Sequence, residues 1–198
     1  MTSKRCTRTS TYPKRCSSTR SSWRGGFSGG EAPRTILGID PGTTGMGYAL
    51  LIVSADGPAI TDCGLVEVPP GADAAGRLVA IADALDRLIR HHRPVALALE
   101  RLYFNKNAKT AMGVAEARGV ALLCAARAGL SIAEYTPQEV KLTVTGSGGT
   151  DKRGVQRMLP HLVALAEPIM QDNVADAVAI ALTHAQRAHF AAVVAALP

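Results

Sequence analysis

The chain has 198 residues, 47% of them apolar and 19% charged, proportions that suit a chain able to bury a core. No run of 18 or more uncharged apolar residues is present to span a membrane. Its net charge of +6 suggests an anionic partner, but residues 1–34 hold eight Lys or Arg against the single acid Glu31, so the other 164 residues carry −1 and global basicity does not argue that the folded body binds nucleic acid. Cys6, Cys16, Cys63 and Cys124 show no CxxC or CxxH spacing, which argues against a disulfide framework or a zinc site and fits a reduced, cytoplasmic protein.

Residues 1–34 contain twelve Ser or Thr, clustered Arg and Lys, and two GlyGly pairs. Such a stretch cannot bury enough surface to offset its ordering entropy and is expected to be a disordered tail. It lacks the apolar core of a secretion signal; a basic nucleic-acid arm, a transit peptide and an extension upstream of the true start are the three readings open to it. From residue 35 to about 190 the chain reads as one domain, with 191–198 a short extension. Apolar, β-prone runs at 36–40 and 46–53 flank the turn Pro41-Gly42-Thr43-Thr44-Gly45, and a third follows at 60–68, so the pattern predicts three meander strands. Between 71 and 94 the apolar positions Leu78, Ile81, Ala82, Leu85, Leu88 and Ile89 have a helical period. Residues 95–99 are uniformly apolar, as in a strand covered on both faces. A helix over 107–128, a strand over 131–135 and helices over 137–145, 152–166 and 173–189 complete an α/β fold with a mixed sheet of about five strands and helices on its faces.

Two acids end apolar strands. Asp40 closes the first and enters a glycine-rich turn, and Glu100 directly follows Leu99. Carboxyl ends of core strands are where α/β sheets place ligand crevices. Either acid alone reads more readily as the polar end of a strand paired with a neighbour such as Arg101. The third is Asp176, bordering the buried stripe Val174, Ala177, Val178, Ala181, Leu182 and Ala185, with Asn173 one turn away and Asp172 at the expected N-cap. Three carboxylates from three elements suit a divalent-metal phosphoryl-transfer site.

The segments ILGIDPGTTGMGYAL (36–50), ALERLYFNKNAKTA (98–111), ARGVA (117–121), QEVK (138–141) and ADAVAIALTHA (175–185) resemble, in order and spacing, the RuvC family of bacterial Holliday junction resolvases. The resemblance runs from about 35 to 189 and leaves the tail out. It implies an RNase H-like fold and a homodimeric, structure-selective endonuclease that cuts paired strands of four-way DNA junctions in recombination and repair. It implies Mg²⁺ or Mn²⁺ as cofactor, two ions per site, and the RuvA–RuvB branch-migration complex as a partner. By the same resemblance Asp40, Glu100 and Asp176 are catalytic, metal-binding carboxylates and Lys152 is a catalytic lysine. Tyr103, Phe104, Lys106, Lys109, Arg118, Lys141 and Arg153 would contact DNA, with Tyr103 against bases near the crossover. Many members carry an Asp where this chain has Asn173, which can ligate a metal without adding charge. Three carboxylates facing two dications lead to the expectation of weaker Mg²⁺ binding and some preference for Mn²⁺, reversed by Asn173→Asp. His184, two turns past Asp176, is a candidate base or a structural histidine. The competing classes are another RNase H-like nuclease acting on RNA or hybrid, an actin-like phosphate-loop nucleotide-binding protein, for which one lobe is too little, and a noncatalytic basic DNA-binding protein, which the near-neutral body disfavours.

Overall fold

The structure is a computed structural model that describes residues 32–41, 45–101 and 108–196. The strands are β1 (Arg34–Asp40), β2 (Gly47–Ser54), β3 (Gly57–Leu65), β4 (Ala96–Glu100) and β5 (Ser131–Tyr135), and the helices α1 (Ala74–His92), α2 (Ala108–Arg127), α3 (Pro137–Thr145), α4 (Lys152–Leu162) and α5 (Asp172–Ala195). The sheet order is β3-β2-β1-β4-β5. β1, β2 and β3 form the antiparallel meander, whereas β4 pairs parallel to β1 and β5 parallel to β4. The predicted α/β mixed sheet and its element order are therefore present.

Boundaries differ in places that have physical reasons. β1 begins at Arg34, inside the stretch read as tail. β3 lies three residues earlier than expected and leaves the sheet at Leu65, after which Val66 N–H bonds the Met46 carbonyl. α4 stops at Leu162, not 166, because Ala164 turns extended and bonds the β3 edge through Ile60 N–H and the Pro58 carbonyl. α5 runs on to Ala195, so the segment read as an extension from 191 is largely helix. Among the described residues no helix is long and apolar enough to cross a membrane.

Two cores cover the sheet. Leu37, Ile39, Leu97 and Leu99 point towards α1 and α2. The alternate positions Ile36 and Ala98 belong to the core made with α3, α4 and α5. The two-residue period of a strand then puts Gly38, Asp40 and Glu100 on that second face. Because Ile39 pairs with Leu99 in parallel register, Asp40 and Glu100 emerge from neighbouring strands at the same sheet end.

α5 lies on that face almost in backbone contact. A Cβ on Gly38 would stand 2.3 Å from the Ala177 carbonyl oxygen and 2.8 Å from Ala181 Cβ. One on Gly47 would stand 2.1 Å from the Asn173 carbonyl oxygen. Facing small residues, Ala177 and Ala181 on the helix and Ala49 and Ala98 on the sheet, are fully buried. The crossing is close because its side chains are nearly absent. Gly38→Ala should therefore force α5 off β1 and destabilise the protein by at least about 2 kcal/mol, a drop of several degrees in Tm, measurable by thermal unfolding; an unchanged Tm would contradict this packing.

Candidate active site

The α5 crossing decides where the third acid goes. With Ala177 over Gly38 and Asn173 over Gly47, Asp176 projects at the end of the sheet where Asp40 and Glu100 emerge. Asp40 is only 6% exposed. Burial, then the charges of Asp176 and Glu100, push its pKa up to about 7, against a smaller opposing effect of Lys152. Burial and Asp176 also raise Glu100, again opposed by Lys152. Asp176 is raised by burial even though Lys152 bonds it directly. The three carboxylates thus share one desolvated, mutually repulsive site.

Lys152 supplies its cation. Its Nζ lies 2.7 Å from Asp176 Oδ2 and 3.4 Å from Asp172 Oδ2. Burial works against the ammonium, but these two acids outweigh it and hold the lysine charged. The lysine is placed by a cap: Asp151 Oδ1 accepts from Gly154 N–H at 2.7 Å, which starts α4 with Lys152 as its first residue. Asp172 is not the N-cap of α5 as expected; Gln171 holds that position, and Asp172 accepts instead from Gln156 Nε2 at 2.8 Å. Among the described residues no three His, Cys, Asp or Glu side chains close into a preformed metal-ligand cluster; the carboxylates are coupled through space, with an ammonium against one of them.

The remaining candidates separate. Asn173 is at the site, donating from Nδ2 to the Gly45 carbonyl at 2.7 Å. Arg153 is exposed on the first turn of α4, beside Lys152, and Lys141 is half-buried on α3. Arg118 is held inside the fold: its guanidinium is 2.6 Å from Glu134 Oε1, its side chain 18% exposed. The DNA contact implied for it would require that pair to break. Tyr103, Phe104, Lys106 and the side chain of Lys109 lie outside the described residues. The Tyr135 hydroxyl and His184 Nδ1 are hydrogen-bonded at 2.8 Å, and burial lowers the histidine pKa and raises that of the tyrosine. That is the structural alternative for His184.

A meander of three antiparallel strands extended by two parallel ones, with acids at the ends of β1 and β4 and a third on the helix crossing them, defines an RNase H-like fold with an acidic sheet end. The family model described as "Crossover junction endodeoxyribonuclease RuvC" matches residues 36–184. Proteins of that description from Moorella thermoacetica and Pelotomaculum thermopropionicum are 47% and 43% identical over 152 and 150 residues. Each alignment covers 76% of this chain, and 90% and 92% of the respective relative. The chain belongs to the RuvC family of crossover junction endodeoxyribonucleases. A solved structure described as T. thermophilus RuvC in complex with Holliday junction substrate superposes with a TM-score of 0.73 at 31% identity, covering 80% of this chain and 96% of that one. The yeast mitochondrial Holliday junction resolvase Ydc2 shares the fold, with a TM-score of 0.61 at 13% identity over 79% of this chain and 81% of its own.

The shifted acids make stability depend on pH. The folded protein keeps the Asp40 proton up to about pH 7, whereas the unfolded chain releases it near 3.8. Between those values the folded state binds more protons, so stability falls as pH rises through the window, by up to about 4 kcal/mol for this group. The raised Glu100 and Asp176 act in the same direction. In chelator, Asp40→Asn should melt several degrees above wild type at pH 8, and the gap should close towards pH 4. A gap independent of pH would show that Asp40 carries no such cost.

Proposed function

We propose that this protein resolves four-way DNA junctions by hydrolysing phosphodiester bonds with Mg²⁺ or Mn²⁺. The observation that carries the reading is the convergence of Asp40, Glu100 and Asp176, with Lys152, on one sheet end in a chain of this family. The donor set fits the group: three buried or half-buried carboxylates offer hard oxygen ligands, and their mutual repulsion leaves the site short of positive charge. A bound dication pair would supply an activated water and stabilisation of the leaving oxygen. Asp40, Glu100 and Asp176 would hold it.

This chain's own residues do the rest. Asp40 is fixed in a desolvated position by β1 and the α5 crossing. Lys152, at the start of α4, carries a charge that can meet the scissile phosphate, with Arg153 beside it and Lys141 on the preceding helix as further phosphate contacts. Hydrolysis breaks the bond between phosphorus and the 3′ oxygen, leaving a 5′-phosphate and a 3′-hydroxyl that ligase can seal.

A four-way junction has approximate two-fold symmetry, so a C2 dimer would present two such sites to opposed strands. α2 supports that assembly. Met112 and Leu123 are exposed at 68% and 49%, and Gly119, on the same helical stripe, has nothing within 4 Å of a would-be Cβ. Such a stripe admits close approach of a second helix. Action in the cytoplasm beside a RuvA–RuvB branch-migration complex completes the proposal.

The test is a synthetic four-way junction incubated beside linear duplex and RNA–DNA hybrid, with Mg²⁺, Mn²⁺ or chelator. Paired, ligatable nicks in the junction alone, abolished by chelator, are expected. Asp40→Asn should lower the rate roughly a thousandfold, about 4 kcal/mol of barrier, while still binding the junction. Preferred cutting of hybrid would replace the DNA reading with an RNA-directed one.

The ammonium on Asp176 generates a second expectation. Lys152→Met should slow cleavage roughly a hundredfold, as loss of one charged donor does. In the absence of DNA it should tighten Mn²⁺ binding several-fold in calorimetry, because a competing positive charge has gone. Weaker Mn²⁺ binding in Lys152→Met would show that the lysine does not compete for these carboxylates.

A further inference from the structure

Asn173 occupies the position at which the family resemblance implies a metal ligand, but its contacts point to different work. Its Nδ2 is 2.7 Å from the Gly45 carbonyl oxygen. A carbonyl only accepts, so the group facing it must be an N–H, and the chemistry of the partner fixes which end of the amide faces the turn. Gly45 lies in the connection between β1 and β2, which begins immediately after Asp40. The backbone of Asn173 in turn rests on Gly47, at the start of β2 opposite Asp40 in the register, too closely for any Cβ. One residue in the first turn of α5 therefore touches Gly45 with its side chain and the strand beside Asp40 with its main chain. Asp176, one turn further along the same helix, moves with it.

We propose that Asn173 is a positioning residue: its amide N–H clamps Gly45, two residues before the Gly47 that pairs with Asp40, to the helix that carries Asp176, and so sets the spacing of two carboxylates held by separate elements. The clamp stands on geometry alone; only its consequence for metal rests on the reading of those acids as ligands.

An ionised aspartate has no proton to donate. At position 173 it would set a carboxylate oxygen against the Gly45 carbonyl, replacing a hydrogen bond with a repulsion. The extra negative charge that would help a simple ligand thus arrives together with loss of the contact that aligns the site. The two roles predict opposite signs for one substitution.

The experiment compares wild type, Asn173→Ala and Asn173→Asp by thermal unfolding in chelator and by calorimetric Mn²⁺ titration of the folded proteins. Without metal, Asn173→Ala should lower Tm by about 2–4 °C, the worth of one net hydrogen bond in a chain of this size, and Asn173→Asp by more. Mn²⁺ affinity should fall about threefold to tenfold in both. An unchanged metal-free Tm in Asn173→Ala overturns the clamp. A lowered Tm with Mn²⁺ affinity unchanged or raised in Asn173→Asp overturns the positioning role, leaving a brace with no bearing on the site. Should Asn173→Asp fail to fold, Asn173→Ala decides by the same two readings. Absence of Mn²⁺ binding by wild type would refute the metal reading of the acids, and the melting comparison would still decide the clamp.

Discussion

The close crossing of α5 over the β1–β2 end of the sheet is the contact on which the rest depends. Gly38 and Gly47 let helix and strands meet at backbone distance, where a single methyl group would collide. Ordinary helix-on-sheet packing keeps a layer of interdigitating side chains between main chains. Here their removal brings an acid borne on a helix within Coulomb range of acids borne on strands. The same crossing excludes water from Asp40, so the contact that assembles the site also raises the cost of charging it.

That cost explains the arrangement around Lys152. Three carboxylates in a desolvated corner repel one another, and the Lys152 ammonium counters them, in contact with Asp176 and through space at Asp40 and Glu100. One positive charge against three acids does not restore ordinary carboxylate behaviour, as the raised Asp40 and Glu100 show. Asp151 caps α4 so that the lysine is its first residue, and Asp172 holds the ammonium from a second direction. A site in this state is stabilised by further positive charge, which is the electrostatic condition for binding a dication and then a phosphate.

Much of this was legible in the sequence because it follows short-range periodicity. Asp40 and Glu100 end apolar strands, which puts each at a sheet end, whereas their shared face follows from the parallel register of Ile39 with Leu99. Asp176 borders a stripe of helical period. The features that could not be read depend on pairs distant in the chain. Glu134 captures Arg118 across 16 residues, and nothing in ARGVA signals that its arginine faces inward. Asn173 reaches Gly45 across 128 positions, so its residue type suggested a ligand while its partner makes it a donor. The end of α4 was misread for a related reason: Ala164 bonds the edge of β3, a long-range demand that overrides helical propensity. Asp172 was misplaced by one residue, enough to exchange a cap for an ion pair with Lys152.

The charge distribution takes on a different meaning once the site is placed. Residues 35–198 sum to −1, an unpromising total for a protein that grips a polyanion. Yet that total includes Asp40, Glu100, Asp172 and Asp176, gathered at one sheet end, where bound dications would reverse the local sign without any change in the sequence. Lys152 and Arg153 share the first turn of α4 beside those acids, and Lys141 lies on the helix before it. Local field, rather than net charge, then governs how a phosphate meets this surface. A dication held by these acids would compete with Lys152 for Asp176, the carboxylate its ammonium touches at 2.7 Å, and would leave that charge to face a phosphate. Global basicity, concentrated in residues 1–34, is not needed for that coupling, because Lys152 already stands in contact with Asp176 and Asp172.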